Sequence, residues 1–299
     1  LGRGYMGHLT GTLADLIPTD PANIAAFGCL GAGNGAISRR RISPRAEAQT
    51  REQIANIAFW LDNPALGDPA HGSGAASAKY LLLRQARFGK RLVSDGLRAL
   101  ALRGAEAPLG PHLGNIARHP LETVTGLARA VIARLTDRYR RPETLMSSGN
   151  GGWRLHYHAE QQSNPENRVS LADTQDATGL YGLNIDYRFH DPDIASVLEA
   201  HDALDRDLQA AGAGRLRYLH PPEARAGKVL AAARDGYHQI GGTRMSRDPE
   251  SGVVDPECRV HGLENLWIAS SSVFPSAGQA NPTLTIVALA RRLAARLAN

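Results

Sequence analysis

The sequence predicts a mixed α+β / α/β fold, in which helices back an antiparallel sheet and the C-terminal segment adds one strand and one helix of an α/β domain. Three observations predict it: helical spacing between about residues 50 and 145, alternation between residues 153 and 190, and an apolar run over 265–269 that precedes a final apolar helix. The 299 residues suffice for one large domain or two modest ones.

The composition is that of a folded globular protein. Hydrophobic residues make up 42% and charged residues 21%, which excludes collagen-like, coiled-coil and wholly disordered classes. No stretch approaches the roughly 20 consecutive apolar residues that a membrane helix needs. The net charge of +5 is small and the run Arg39–Arg41 lacks interleaved aromatic residues, so we expect no nucleic-acid surface. Cys29 and Cys258 have no CxxC spacing, which suits a reducing, cytoplasmic location without a disulfide framework.

The first 145 residues predict loops followed by helices. Residues 1–50 are rich in Gly, Pro and Asp. Within them, residues 31–36 have the G-x-G-x-x-A spacing of a dinucleotide-binding turn, but Pro44 interrupts the helix that such a turn requires, which favours a glycine-rich surface hairpin over an NAD site. Apolar residues keep helical spacing over 54–61 and 121–135. We therefore predict a helical region over 50–145, interrupted by a Gly-, Ala- and Pro-rich segment over 63–77.

Three alternating segments follow, at residues 153–160, 168–172 and 183–189. They predict an antiparallel sheet over 153–190 with one face in water. A helix over 192–211, with Asp191 as its cap, is expected to cover this sheet. His156 and His158 lie two apart, hence on one face of the first strand. Because no third ligand is evident, they are interpreted as sheet residues, and no metal site is predicted.

The last segment combines a short apolar run with polar turn residues. Residues 265–269 (NLWIA) end at Ser270 and Ser271, which predicts a buried strand of a parallel sheet. Asn281 is expected to cap a helix that has Pro282 at its first position and begins with apolar residues on nearly all sides, so its start is predicted to be buried. Free backbone N–H groups from Thr283 onward would favour an anionic group nearby.

Together with His238, which precedes a pair of glycines, these segments resemble the C-terminal signature of the glucose–methanol–choline (GMC) family of flavin oxidoreductases. A weaker similarity covers residues 158–169 and 2–8. The matching positions are His238, Gly241, Arg244, Met245, 252–255, 259–263, 265–266, 272–275 and 281–286.

The resemblance implies FAD as the cofactor and oxidation of a CH–OH group of an alcohol or sugar by hydride transfer to FAD. The position matching His238 is the family's catalytic base, and an imidazole with a reference pKa of about 6.5 suits that role. The position matching Asn281 is its partner, which orients the substrate hydroxyl. The family often has Asp where this chain has Ser270, which alters the expected polar contact. Expected cofactor-binding residues are Ser270, Ser271, Asn281, Pro282 and Thr283.

The resemblance also implies a domain division, with a substrate-binding domain over residues 1–235 and a segment over 236–299 that completes a Rossmann-like FAD-binding domain. We expect the N-terminal part of that FAD domain to be absent from this chain and to be supplied by the same protein or by a separate chain. The other expected partner is a small hydroxylated substrate, and the segment from Asn281 is most similar to that of bacterial sugar-oxidising members. Two alternatives stay open: a flavin-bearing lyase on the same scaffold, and a non-catalytic subunit or fragment. Arg244 is expected in a buried salt bridge and His261 in a structural role.

Overall fold

The computed structural model describes residues 1–31, 36–63, 65–85, 98, 102, 108–136, 145–147, 151–233 and 238–298. Strands within these residues are β1 His8–Pro18, β2 Cys29–Gly31, β3 Ile37–Arg39, β4 Ile57–Asp62, β5 Trp153–Glu160, β6 Arg168–Gln175, β7 Tyr181–Asp186 and β8 Gly214–Tyr218. The α-helices are α1 Ala46–Glu52, α2 Gly74–Arg84, α3 Leu109–Arg118, α4 Pro120–Thr136, α5 Asp191–Ala210, α6 Pro222–Ala232 and α7 Thr283–Leu297. Short 3-10 helices cover Pro21–Phe27, Pro69–His71 and Ser271–Val273.

A four-stranded antiparallel sheet in the order β4-β5-β1-β8 forms the centre of the fold. Its strand β1 lies in the region predicted to be loops, so that prediction is wrong. A bulge between Thr12 and Ala14 inserts one residue against β5, and Leu13–Leu16 is buried without interruption. Because the bulge breaks the two-residue alternation, the pattern by which a strand is recognised is missing here.

The helix predicted over 54–61 is also wrong, since β4 occupies most of that range. Helix α1 ends before Gln53, which adopts a left-handed conformation with φ of +53°. In β4, Phe59 pairs with Tyr157 of β5 and forms a bridge with Ile42 on its other side. A short apolar run fits a helix or a strand equally well, and hydrogen bonding to distant segments decides between them.

The three predicted strands form, but they do not share one sheet. Strand β5 belongs to the central sheet, whereas β6 and β7 pair as a separate hairpin. The amide groups of Gln161 and Asn167 both donate to the carbonyl oxygen of Arg188, which holds the chain where it turns away from the central sheet. The hairpin exposes apolar side chains such as Leu183 and Ile185.

Helix α5 packs beside β8 and α6, close to its predicted bounds. Its cap is His190 rather than Asp191, because the His190 backbone N–H donates to the Asp193 carboxylate and the Asp193 backbone N–H donates to the His190 carbonyl oxygen, both at 3.0 Å. The predicted helix over 121–135 is confirmed as α4, which packs against α2. The main core lies between the sheet and helices α5 and α6, with fully buried residues that include Leu9, Leu13, Phe59, Leu61, Leu155, Tyr157 and Val197.

A buried carboxylate ties three strands of the sheet together. Asp15 of β1 accepts hydrogen bonds at 2.8 Å from Arg154 of β5 and from Arg217 of β8, its direct cross-strand neighbours. The Asp15 side chain is only 2% exposed, so the two guanidinium groups replace its lost hydration.

The predicted buried strand over 265–269 is wrong in this structure. The segment forms a single antiparallel bridge, between Arg259 and Trp267, and pairs with no strand of the described residues. A parallel strand needs a neighbour of several residues to hydrogen-bond with, and this stretch has none in that part of the chain.

The predicted buried start of the last helix is likewise wrong. Helix α7 begins at Thr283, its cap position is Pro282 without a side-chain hydrogen bond, and none of its residues is buried. Leu284 is 82% exposed and Val287 is 50% exposed, because only the region around Leu289 meets a small cluster formed by Val254, Cys258 and Val273. Asn281 is therefore not a capping residue here.

Residues 32–35 of the glycine-rich run lie outside the described residues. The strands on either side, β2 and β3, pair antiparallel, which agrees with the predicted surface hairpin. Within the described ranges, no helix has both the length and the apolarity required to cross a bilayer.

Candidate functional site

Two histidines from adjacent strands meet on one face of the central sheet. The register of β1 and β5 places His8 opposite Glu160 and Thr10 opposite His158, so His8 and His158 are diagonal neighbours. Their rings stack with centroids 4.2 Å apart, and both side chains are buried. The sheet pairing alone therefore positions the two imidazoles.

A third histidine reaches them from the C-terminal segment. His238 is half-buried, and its ring centroid lies 5.2 Å from that of His8 and 5.8 Å from that of His158. Mutual backbone hydrogen bonds between Met6 and Ile240, at 2.7 and 2.9 Å, bring the segment against the residues before β1. We call His8, His158 and His238 the histidine cluster.

Gly241 makes this approach possible. Its φ is +81°, and a Cβ at this position would lie 2.2 Å from the carbonyl oxygen of Gly4. Only glycine combines that conformation with so close a contact. The close approach of the His238 segment to Gly4 thus requires a glycine at position 241.

Burial keeps two of the clustered imidazoles neutral. It lowers the pKa of His8 to about 3, helped by the nearby His158 and His238. Burial also lowers the pKa of His158 to about 4, although the hydrogen bond to the Gln279 carbonyl opposes this shift. At neutral pH these two rings are uncharged, so each can offer a lone pair or an N–H.

The loop before Asn281 is anchored to the same face. The backbone N–H of Gly278 donates to Glu160, that of Gln279 donates to Asn56, and the Nδ1–H of His158 donates at 2.7 Å to the carbonyl oxygen of Gln279. The Arg41 guanidinium donates to the Gln279 side chain and lies over the Trp60 ring. Asn281, two residues farther on, is exposed.

The serine turn packs against the segment that carries His238. The Ser271 hydroxyl donates to the Gln239 carbonyl oxygen at 2.7 Å, and the Thr243 hydroxyl donates to the Ser272 hydroxyl at 2.6 Å. The Ser270 hydroxyl oxygen accepts from the backbone N–H of Ser272, and its own proton has no acceptor within the part of the chain that the structure describes. Pro282 is buried and Thr283 is exposed. The structure thus brings the His238 segment against the serine turn, and it holds the loop before Asn281 beside the cluster.

Two other expectations have different outcomes. Arg244 forms no buried salt bridge: it is exposed and donates from Nε and from its terminal nitrogen to the Ser251 carbonyl oxygen, so that prediction is wrong. His261 lies in a turn next to the Ser246 carbonyl oxygen, 3.1 Å from its Nε2, which agrees with a structural role.

Sequence reasoning missed the histidine cluster. Their spacing of two residues groups His158 with His156 on one strand, yet the ring of His156 packs against that of Trp60, with centroids 4.6 Å apart. The other two members of the cluster, His8 and His238, are remote from His158 in sequence. The available signal was the position of His8 in a weakly matching segment, which became informative only when β1 was placed beside β5.

Acid is expected to destabilise the fold between about pH 6.5 and about pH 4. Burial lowers the pKa of His201 to about 4, as it does for His158, whereas an unfolded histidine has a pKa of about 6.5. As the pH falls, the unfolded state therefore binds protons first, and the free energy of unfolding declines by up to about 1.4 kcal/mol per pH unit for each such histidine. Urea unfolding at several pH values measures the decline. His201→Gln should reduce it, and an unchanged decline in that variant would contradict the assignment.

Comparison with known proteins supports the resemblance to the GMC family. Residues 163–290 match the sequence model described as GMC oxidoreductase, in its C-terminal part. Over these residues, which are less than half of the chain, the protein is similar to the C-terminal domain of GMC oxidoreductases. The GMC family is FAD-dependent, and the expectation of FAD as the family cofactor is confirmed. The match begins before β6 and ends within α7, so it includes His238, the serine turn and Asn281.

Two of the curated relatives to which the chain is similar are named as an oxidase and a dehydrogenase. The 6'''-hydroxyparomomycin C oxidase of Streptomyces lividus is 32% identical over 136 residues, which are 46% of this chain and 23% of that protein. The 2-methyl-1,2-propanediol dehydrogenase of Mycolicibacterium austroafricanum is 32% identical over 120 residues, which are 40% of this chain and 20% of that protein. The chain thus spans less than a quarter of the length of these relatives.

Among solved structures, pyridoxine 4-oxidase from Mesorbium loti is similar over 99% of this chain and 43% of its own length. The sequence identity is 17% and the TM-score is 0.45.

Proposed function

We propose that this chain is part of an enzyme that oxidises a CH–OH group of an alcohol or sugar by hydride transfer to FAD, with His238 as general base and Asn281 orienting the substrate hydroxyl. The observation that carries the proposal is the position of the half-buried His238 against two buried, neutral imidazoles, next to the anchored loop that leads to Asn281. The match of residues 163–290 to the GMC oxidoreductase model supports it.

The chain's own residues would handle the proton. His238 accepts the hydroxyl proton of the substrate, while the hydride leaves the carbon that carries the oxygen and the C–O bond becomes a carbonyl. Because His8 and His158 are neutral, the positive charge that forms on His238 meets no cationic ring within the cluster. Asn281 does not titrate, so its amide can hold the substrate oxygen at any working pH.

FAD supplies the acceptor for the hydride, and the residues present fit a polar, electron-accepting group. The first N–H groups of α7 have no side-chain cap, and an uncapped helix start favours negative charge nearby. Among the described residues the Ser270 hydroxyl has no acceptor for its proton, whereas the Ser271 hydroxyl donates to the Gln239 carbonyl oxygen, so Ser270 is the better candidate of the two. Asn281 and Thr283 are exposed at the same end of the helix, and Pro282 fixes the backbone between them.

We also propose that a flavin-binding half, on the same protein or on a separate chain, covers the exposed face of α7. The support is the large exposure of Leu284 and Val287 in a helix that follows the anchored loop directly. Such apolar exposure at a helix start is unfavourable in water and becomes favourable once covered.

Anaerobic flavin reduction tests the proposed reaction. The flavin-bearing protein, formed by this chain together with its flavin-binding half, is mixed with a panel of sugars and of primary and secondary alcohols, and the visible flavin absorbance is followed. We expect at least one compound to bleach the flavin. If none does although FAD is bound, the oxidation is contradicted and the lyase alternative is favoured. Tight FAD binding and turnover by the 299-residue chain alone would contradict the need for a second half.

A further inference from the structure

We propose that the histidine cluster binds one divalent transition-metal ion of the kind that imidazole ligands favour. Zn²⁺ is the ion with which the site is tested. One ring nitrogen from each of His8, His158 and His238 lies within 4.8 Å of those of the other two. Among the described residues, this is the group of His, Cys, Asp or Glu side chains that lie close enough together to hold a metal ion. Three imidazoles without a carboxylate or a thiolate select Zn²⁺, Cu²⁺ or Ni²⁺ over Mg²⁺ and Ca²⁺.

The hydrogen bonding of His158 matches that of a metal ligand. Its Nδ1–H donates to the carbonyl oxygen of Gln279 at 2.7 Å, which fixes the tautomer and leaves the lone pair on Nε2. Gln279 is itself held by Asn56 and Arg41, so the ring orientation is supported from outside the cluster. Metal-binding histidines commonly show this arrangement, with the second ring nitrogen donating to a backbone carbonyl.

His8 supplies the second, independent observation. It is fully buried, and neither of its ring nitrogens completes a hydrogen bond within the described residues, although the backbone of Gly278 is near enough to oppose part of the fall in its pKa. A buried polar atom without a partner is costly unless a ligand satisfies it. A metal ion bound between the rings would satisfy one of the two nitrogens.

The geometry requires a modest closure. Zn–N bonds of about 2.0–2.1 Å place the nitrogens of a tetrahedral site roughly 3.3–3.4 Å apart, so separations of up to 4.8 Å must contract. His238 comes from a separate segment and is half-buried, so it is the ligand that can move and also the side from which an ion enters. The nearby Arg41 cation weakens the attraction for a metal. Three protein ligands leave a fourth position for water.

Occupation of this site would have a chemical consequence that rests on the proposed function. The lone pair with which His238 would take the hydroxyl proton would instead bind the metal. Zn²⁺ is therefore expected to inhibit oxidation of the substrate, and a chelator to restore it. Inhibition and binding can be measured separately, so the two proposals can fail separately.

Calorimetric titration of the 299-residue chain with Zn²⁺ is the experiment, carried out on the wild type and on His8→Gln, His158→Gln and His156→Gln. We expect one Zn²⁺ per chain. Since loss of an outer hydrogen-bond partner already costs roughly 10–100-fold in metal affinity, loss of a ligand should weaken binding at least tenfold. His156→Gln is the matched control, because His156 lies on the same strand outside the cluster, and it should bind as the wild type does.

Absence of saturable binding, or equal binding by His158→Gln and the wild type, would overturn the metal site. Loss of binding in His156→Gln would overturn it as well. Circular dichroism checks that each variant folds, and if His8→Gln does not fold, His158→Gln and His238→Gln carry the test. Binding without inhibition of the flavin-bearing protein would support the metal site and count against His238 as the base.

Discussion

Replacement of His238 by glutamine is expected to slow the reduction of bound flavin by substrate by about 10²–10⁴-fold, the usual contribution of a positioned general base. Glutamine keeps the size and polarity of the side chain but cannot accept the hydroxyl proton. Because proton removal accompanies hydride departure, the loss should fall on the rate of bleaching at saturating substrate rather than on the substrate concentration that gives half the maximal rate. Stopped-flow absorbance of the flavin-bearing protein measures both.

The control for this experiment is His156→Gln, on the strand that carries His158 but with its ring against Trp60. It should leave the bleaching rate nearly unchanged. A second readout is the pH profile: the dependence of the rate on a basic group should disappear in His238→Gln, since no other side chain takes over the proton. Full activity in His238→Gln, or an unchanged pH profile, would show that another group is the base.

Replacement of Phe59 by alanine is expected to lower the free energy of unfolding by about 3–5 kcal/mol, as usual for a buried aromatic side chain. Phe59 is 1% exposed, its ring meets that of His201 edge-on at 4.9 Å, and its backbone bonds β4 to Ile42. The substitution would leave a cavity between the sheet and α5, where the surrounding side chains are packed too closely to move into it. Urea unfolding followed by circular dichroism measures the change.

Leu183→Ala on the exposed hairpin is the comparison, because Leu183 is 63% exposed and its loss should change the free energy of unfolding by no more than about 0.5 kcal/mol. If Phe59→Ala were as mild as Leu183→Ala, Phe59 would not be a core residue and the placement of β4 would be in error. The pair of variants separates burial from the general effect of removing an apolar side chain.

Helices with long periodic patterns were predictable from the sequence, and short strands were not. Helix α4 keeps its apolar spacing over several turns, and α5 carries cap signals at its start, so local interactions specify both. Strand β4 has six residues, and β1 has a bulge. Their states depend on partners in β5 that lie about 100 residues from β4 and about 145 residues from β1, which no local pattern records.

In the C-terminal segment, the sequence motif predicted the family, but the apolar pattern did not predict the burial. Its ordered motif was enough to predict the GMC family, and the matched residues 163–290 confirm that relation. The roles of His238 and Asn281, and the division of the chain at residue 235, stay predictions. The buried strand and the buried helix start were inferred from apolarity alone, and apolarity does not say which surface covers a residue, as Leu284 illustrates.

The sequence by itself determined the mixed class of the fold, the helices with long periodic patterns and the resemblance to the GMC family. Hydrophobic spacing, capping residues and an ordered motif are all local features of the chain. Only the tertiary structure decided that His8, His158 and His238 lie together. Two of them meet through the register of β1 and β5, and the third arrives through the close approach of Gly241 to Gly4. Contacts of this kind depend on which distant segments pair, and the energy that selects the pairing comes from burial of the whole sheet rather than from any one motif.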